Sequence, residues 1–172
     1  MNGQRLATGS QSMSFLRVNG CEVHWAALGR GPPVVLLHGL ADSHGTWSKA
    51  APLLARNRRV VMIDLAGHGL SERPDASYSL EWHARVVNGW LDALCLDRVD
   101  LVGHSYGGGV ALQMMALGRH ARVRKLALVA AGGLGRDVSL GLRLASVPFL
   151  VEHFGQPFMA YGTRRALSAA GC

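Results

Sequence analysis

The sequence predicts an α/β fold, and three observations carry that expectation. Short apolar runs recur at 34–37, 59–63, 99–102 and 126–130, each compact enough to be a strand covered on both faces. Segments of helical spacing or composition separate them. An antiparallel hairpin signal comes first. Strands alternating with helices imply a mostly parallel sheet with helices on both faces.

The elements follow in chain order. Residues 15–18 and 21–27 flank Asn19-Gly20, a dipeptide suited to a two-residue hairpin turn. "GRGPP" at 29–33 breaks that pattern before the run "VVLL", which ends at His38-Gly39. Residues 46–55 read as helical, although Pro52 leaves the extent open. The run at 59–63 ends at Asp64. Apolar residues at 80, 82, 86, 87, 90, 91 and 94 have helical spacing. The run at 99–102 leads through glycine and serine into 106–117, a helix rich in alanine, leucine and methionine. The last run, 126–130, is followed by Gly132-Gly133. Beyond it the strand rhythm stops, and two helix-like stretches interrupted by Pro148 and Pro157 remain. The expected organisation is a flexible leader at 1–12, an α/β core at 13–137 and the start of a helical lid at 138–172.

Bulk properties narrow the class. The 172 residues are 49% apolar and 17% charged, which suits one globular domain with a real core. "MNGQRLATGSQS" is polar and small, without the apolar stretch of a secretory signal, and no run long enough to span a bilayer occurs. Cys21, Cys95 and Cys172 form no C-x-x-C and no even framework. Reduced thiols and a cytoplasmic location are therefore expected. The net charge of +7 comes from scattered basic residues, densest at 56–59 and 122–125 just before two expected strands. A solvated surface is expected there. No basic stripe with interleaved aromatics, zinc spacing or helix-turn-helix signal supports a nucleic-acid partner.

The stretch "LVGHSYGGGVALQMM" at 101–115 holds the chemistry. Ser105 has Gly103 two positions before it and Gly107 two after, where a strand turns into a helix. Such a corner strains the backbone and brings those neighbours so close that a Cβ would clash. It also lifts the serine above the carboxyl ends of the strands, beside the free N–H groups of a helix start. G-x-S-x-G between strand and helix is the signature of a nucleophile elbow. Neither G-x-G-x-x-G nor G-x-x-x-x-G-K-[ST] is present, so phosphate-cradling readings lose their defining residues. No metal ligands and no organic cofactor site can be argued.

Four stretches in order now show a resemblance: the Asn19-Gly20 hairpin, "LLHGLADSHGTW", "VVMIDLAGHGLSERP" and "LVGHSYGGGVALQ". Over 13–133 the chain resembles the α/β-hydrolase superfamily, and within it the esterase, carbon–carbon-bond hydrolase and haloperoxidase-like branch. The dehalogenase branch carries aspartate where this chain has Ser105. The resemblance implies oxyanion donors at the backbone N–H groups of Leu40 and Tyr106, with their side chains left to shape the pocket. Two fixed donors of this kind contribute about 3 kcal/mol each to the barrier. His38 and Gly39 would support the loop, His38 by orienting it. Asp64 and Ser71, in a turn similar to D-x-x-G-x-G-x-S, would brace a loop rather than serve as catalytic acid. His104 would pack beneath the elbow.

A serine needs a base, and the base needs an orienting carboxylate. In this fold the order is Ser, then Asp or Glu, then His. After Ser105 the chain offers Asp137 and Glu152 as acids, and His120 and His153 as bases. His120 lies past the far end of the elbow helix; Asp137 has the better claim among the acids. Relatives continue through further strand–helix units that bring the acid and base. The expectation is therefore an N-terminal portion, truncated in the lid and lacking the last strands, that is weakly active or inactive. The expected activity is acyl transfer to water on a small, largely apolar ester, or cleavage of a ketone at a carbon–carbon bond. The rival is a non-catalytic binding or regulatory member of the same fold, or a dead remnant.

Overall fold

The computed structural model describes residues 12–131. Two antiparallel strands open it, β1 (Ser12–Val18) and β2 (Cys21–Leu28). Val18 pairs with Cys21, so Asn19 and Gly20 alone make the turn, at φ 49° and 79°. Positive φ at both positions matches the right-handed twist of the strands, and Asn-Gly tolerates it. The first strand starts at Ser12, which pairs with Ala27, one residue inside the segment expected as a flexible leader.

Four more strands follow: β3 (Pro33–Leu37), β4 (Arg59–Ile63), β5 (Val99–His104) and β6 (Val123–Val129). The sheet order is β1-β2-β4-β3-β5-β6. β3 runs parallel to both β4 and β5, and β5 parallel to β6, while β2 meets β4 antiparallel. The expected α/β architecture, mostly parallel and entered through a hairpin, is the one formed.

Alternation along the central strands divides the core into two layers. Val35, Leu37, Val61, Ile63 and Leu101 pack with buried residues of α2 (Leu80–Ala93) and α3 (Tyr106–Ala116). Val34, Leu36, Val60 and Met62 instead meet Ala51 in α1 (Ala51–Leu54) and Trp47 in the 3-10 turn His44–Trp47. α2 starts where Ser79 Oγ accepts the Trp82 N–H at 3.1 Å, which satisfies one of the helix's orphan donors. It buries Ala84, Val86, Val87, Trp90 and Leu91 on one stripe.

Three expectations change. The stretch 46–55 is not one helix: Ser43 caps the 3-10 turn, and α1 starts afresh with Pro52 in its first turn, where a missing N–H leaves no bond unmade. The last strand is not covered on both faces. It begins at Val123 and alternates half-buried Val123, Leu126 and Leu128 with exposed Arg124, Lys125, Ala127 and Val129. Among the described residues it has a partner on one edge only. Finally, both basic groups send an arginine to one carboxylate. Arg58 Nη1 and Arg124 Nη2 stand 2.9 and 2.7 Å from Asp100 Oδ2, inside β5. The bonds from Arg124 above all, and Arg58 beside it, hold the Asp100 carboxyl below the usual carboxylate range. No helix among the described residues is long and apolar enough to cross a membrane.

Candidate active site

The chain leaves β3 toward α1 on one face of the sheet and leaves β5 toward α3 on the other. Diverging connections open a crevice at the carboxyl ends of adjacent parallel strands. Leu37 and Gly103 are partners across β3 and β5, so the segments that follow them, 38–40 and 104–106, rise side by side into it.

Ser105 is the corner between β5 and α3. Its backbone sits at φ 49° and ψ −115°, a conformation costing on the order of 1–3 kcal/mol for a residue with a Cβ. The corner is held by the Ser105 N–H donating to the Val129 carbonyl at 3.0 Å and by the Gly108 N–H donating to the Ser105 carbonyl at 3.0 Å. The flanking glycines are sterically required. A Cβ on Gly103 would lie 2.5 Å from the Gly107 carbonyl oxygen, and one on Gly107 would strike the carbonyls of Leu37 and His38. Gly39 closes against the serine: a Cβ there would stand 3.4 Å from Ser105 Cβ. The structure thus gathers Gly39, Gly103, Ser105 and Gly107 in one place.

Leu40 follows Gly39 in this loop, and its side chain is exposed. Tyr106 is the first residue of α3, whose opening N–H groups have no intrahelical acceptor. Neither the Leu40 nor the Tyr106 N–H is hydrogen-bonded among the described residues. The loop is braced by His38, fully buried, whose Nε2 accepts the Leu65 N–H at 2.9 Å. That assigns the ring proton to Nδ1, which donates to the Gly39 carbonyl at 2.7 Å. With both nitrogens engaged, and burial pushing its pKa below the ordinary imidazole value, His38 is a neutral strut. His104 lies edge-on to Trp47, its Nδ1 buried and without a hydrogen-bond partner among the described residues.

Asp64, fully buried at the end of β4, organises the neighbouring loops. Its Oδ1 accepts the His44 N–H at 2.6 Å and His44 Nδ1 at 2.9 Å; its Oδ2 accepts His24 Nδ1 at 2.9 Å and the Leu70 N–H at 3.0 Å. Burial alone would raise this carboxyl, but these donors, the Leu70 and His44 N–H foremost, outweigh it and hold it below its usual range. Ser71 Oγ donates to the Asp64 carbonyl and accepts the His24 N–H. His24 and His44 were not legible as partners of Asp64, since they come from β2 and the loop after β3, 40 and 20 residues away. One ring nitrogen of each and one carboxylate oxygen lie within 4.8 Å of one another, a donor set that in kind could hold a cation. Each Nδ1 and both carboxylate oxygens already serve hydrogen bonds, and among the described residues neither outer ring nitrogen has the partner that a metal-bound imidazole needs.

One further expectation changes. The Tyr106 side chain is not free to shape a pocket: its hydroxyl donates to the Tyr78 carbonyl at 3.0 Å and lies 3.1 Å from His83 Nδ1 on α2. Among the described residues no hydrogen bond reaches the Ser105 hydroxyl. His120 is exposed in the 3-10 turn Arg119–Arg122 beyond α3. Asp137, Glu152 and His153, with the stretch expected as a lid, lie outside the described residues.

Comparison with known proteins adds independent findings. A family model described as alpha/beta hydrolase fold matches residues 32–167. The chain is 40% identical over 137 residues to an uncharacterised protein of Mycobacterium tuberculosis, covering 80% of this chain and 40% of that one. It is 40% identical over 127 residues to a 2-hydroxy-6-oxo-2,4-heptadienoate hydrolase of Pseudomonas putida, covering 72% of this chain and 46% of the relative. The chain therefore spans less than half the length of these relatives. The crystal structure of Cfl2 from Burkholderia cenocepacia is similar at a TM-score of 0.78 and 30% identity, over 93% of this chain and 57% of that one.

Proposed function

The chain belongs to the α/β-hydrolase fold family, and from that premise we propose that Ser105 is the nucleophile of a hydrolase that transfers an acyl group to water. The observation that carries this reading is the Ser105 corner itself. A strained residue stands between two obligatory glycines at a helix start, and among the described residues neither the Leu40 nor the Tyr106 N–H is taken by another acceptor. In the reaction Ser105 Oγ would attack a carbonyl carbon while its proton passes to a base. The oxygen that gains charge would be met by those two N–H groups, already fixed before the charge develops. Collapse would expel the leaving group with a proton and leave an acyl-serine for water to cleave.

The substrates proposed are small, largely apolar esters or a ketone cleaved at a carbon–carbon bond. Similarity to an oxo-dienoate hydrolase supports the second class. The acid and base are proposed to come from beyond the described residues, with Asp137 the first acid to test. Metal and cofactor assistance form no part of the proposed reaction.

A boronic acid tests the serine and its oxyanion donors with the buffer as base: Ser105 Oγ adds to boron, and the hydroxyl proton passes to the buffer. Phenylboronic acid should form a tetrahedral adduct with the 172-residue chain, visible by boron-11 NMR, and Ser105→Ala should abolish it. No adduct in the unsubstituted chain, or one that survives Ser105→Ala, refutes the proposal. Hydrolysis of p-nitrophenyl butyrate locates the base: a rate on the order of 10³–10⁴ over water is the residue left when a triad lacks one. Turnover far above that level and abolished by Ser105→Ala would show that a base exists within this chain. A second reading, a non-catalytic binding protein of the same fold, predicts no adduct.

A further inference from the structure

We propose that His83 is a positioning residue for this site: through the Tyr106 hydroxyl it anchors the first turn of α3 and so aims the Tyr106 N–H at the oxyanion. The inference rests on the reading of Ser105 and Tyr106 given above, and goes beyond it by assigning a role to a residue on another helix.

The geometry is that of a strut. The His83 ring is buried on α2, with Nε2 3.1 Å from the Ala66 carbonyl in the loop after β4. A carbonyl only accepts, and carbonyls face both ring nitrogens, so a neutral ring donates to Ala66 from Nε2 or to Ser79 from Nδ1 but not to both. Nδ1 faces the Tyr106 hydroxyl at 3.1 Å and the Ser79 carbonyl at 3.2 Å. One imidazole thus connects the β4 loop, the start of α2 and the start of α3. Tyr106 is held from two more sides: its hydroxyl reaches the Tyr78 carbonyl, and its ring stacks with His68 at a centroid distance of 6.4 Å. Only one covalent step separates that ring's Cα from the N–H in question. Donors aimed at a developing charge lose much of their effect when displaced by a fraction of an ångström.

A proton count adds a signature that simple packing lacks. With the ring neutral and its proton on Nε2, Nδ1 offers a lone pair, and the single hydroxyl proton of Tyr106 must choose between Nδ1 and the Tyr78 carbonyl. A charged ring supplies the third proton, so Nδ1 donates and the hydroxyl serves Tyr78 alone. The titratable groups facing the ring among the described residues are His68, Tyr78 and Tyr106. Burial first, and His68 with it, push the ring below the ordinary imidazole value despite the carbonyls that favour its charged form.

The test measures phenylboronic acid affinity of the 172-residue chain. Tyr106→Phe and His83→Leu should each weaken the Ser105 adduct by about tenfold, and the double variant no further, because both cut one connection. His83→Gln, which can still span the Ala66 carbonyl and the tyrosine hydroxyl, should recover most of the loss. Acid dependence of the adduct arising from His83 should vanish in His83→Leu. Additive losses, unchanged affinity or failure of glutamine to rescue would each overturn the proposal. Should the unsubstituted chain bind no boronate, the reading of Ser105 fails, and amide hydrogen exchange then decides the strut separately. The first-turn amides of α3 should exchange faster, by matching factors, in Tyr106→Phe and His83→Leu; unchanged exchange overturns it.

Discussion

At the scale of single residues, Ser105 shows how a site stores strain. Its φ of 49° would suit glycine, yet a residue with a Cβ and a hydroxyl stands there. The two smallest replacements separate these contributions. Ser105→Ala removes the hydroxyl and keeps the strained Cβ; Ser105→Gly removes both. The glycine variant should be more stable than the alanine variant by about 1 kcal/mol in urea unfolding, after its larger unfolded-state entropy is subtracted. Equal stabilities, or alanine the more stable, would show that the corner is not strained. This corner was legible in the sequence because its parts lie within five residues, and local sterics fix what glycine and serine do there. The His83–Tyr106 and His24–Asp64 pairings were not, because nothing in either residue's neighbourhood names a partner 23 or 40 positions away.

At the scale of elements, the loops after β3 and β4 are tied together by groups that must keep one protonation state. His38 accepts the Leu65 N–H and is held below the ordinary value near 6.5, as is His83. Where the folded pKa is depressed, the unfolded chain takes up the proton first, so stability rises with pH across the interval. The contribution of both imidazoles is complete above about pH 6.5 and is lost as pH falls toward their folded values. Asp64, held below its usual 3.8, gives a second loss further down. The urea midpoint should stay flat from about pH 8 to 6.5, decline below that, and decline again under pH 4. A midpoint constant down to about pH 5 would rule out neutral, buried imidazoles. Periodicity located β4, α2 and α3 to within a residue or two, because a continuous run or an apolar stripe records which faces are covered. It misread 46–55, where Pro52 permits either one kinked helix or two short turns, and only the Ser43 cap decides.

At the scale of the whole molecule, strand order depends on which helix covers which face, information no single run contains. That is why the sequence read 126–130 as another covered strand while the structure makes β6 the outer strand of the described sheet. An open edge offers unpaired backbone groups to another chain. The first half of β6 carries Arg124, tied to Asp100, and Lys125, charges that discourage such pairing. The second half, "LALV" at 126–129, carries none, and Val129 is 47% exposed. Self-association of the 172-residue chain should therefore proceed through that half. Val129→Lys is the discriminating change: it puts a charge on the exposed face, while the bond from the Ser105 N–H to the Val129 carbonyl uses only backbone. Light scattering after size exclusion should show oligomers growing with concentration in the unsubstituted chain and a marked shift toward monomer in Val129→Lys. A chain monodisperse at every concentration, or association indifferent to lysine at 129, would mean that this edge is covered.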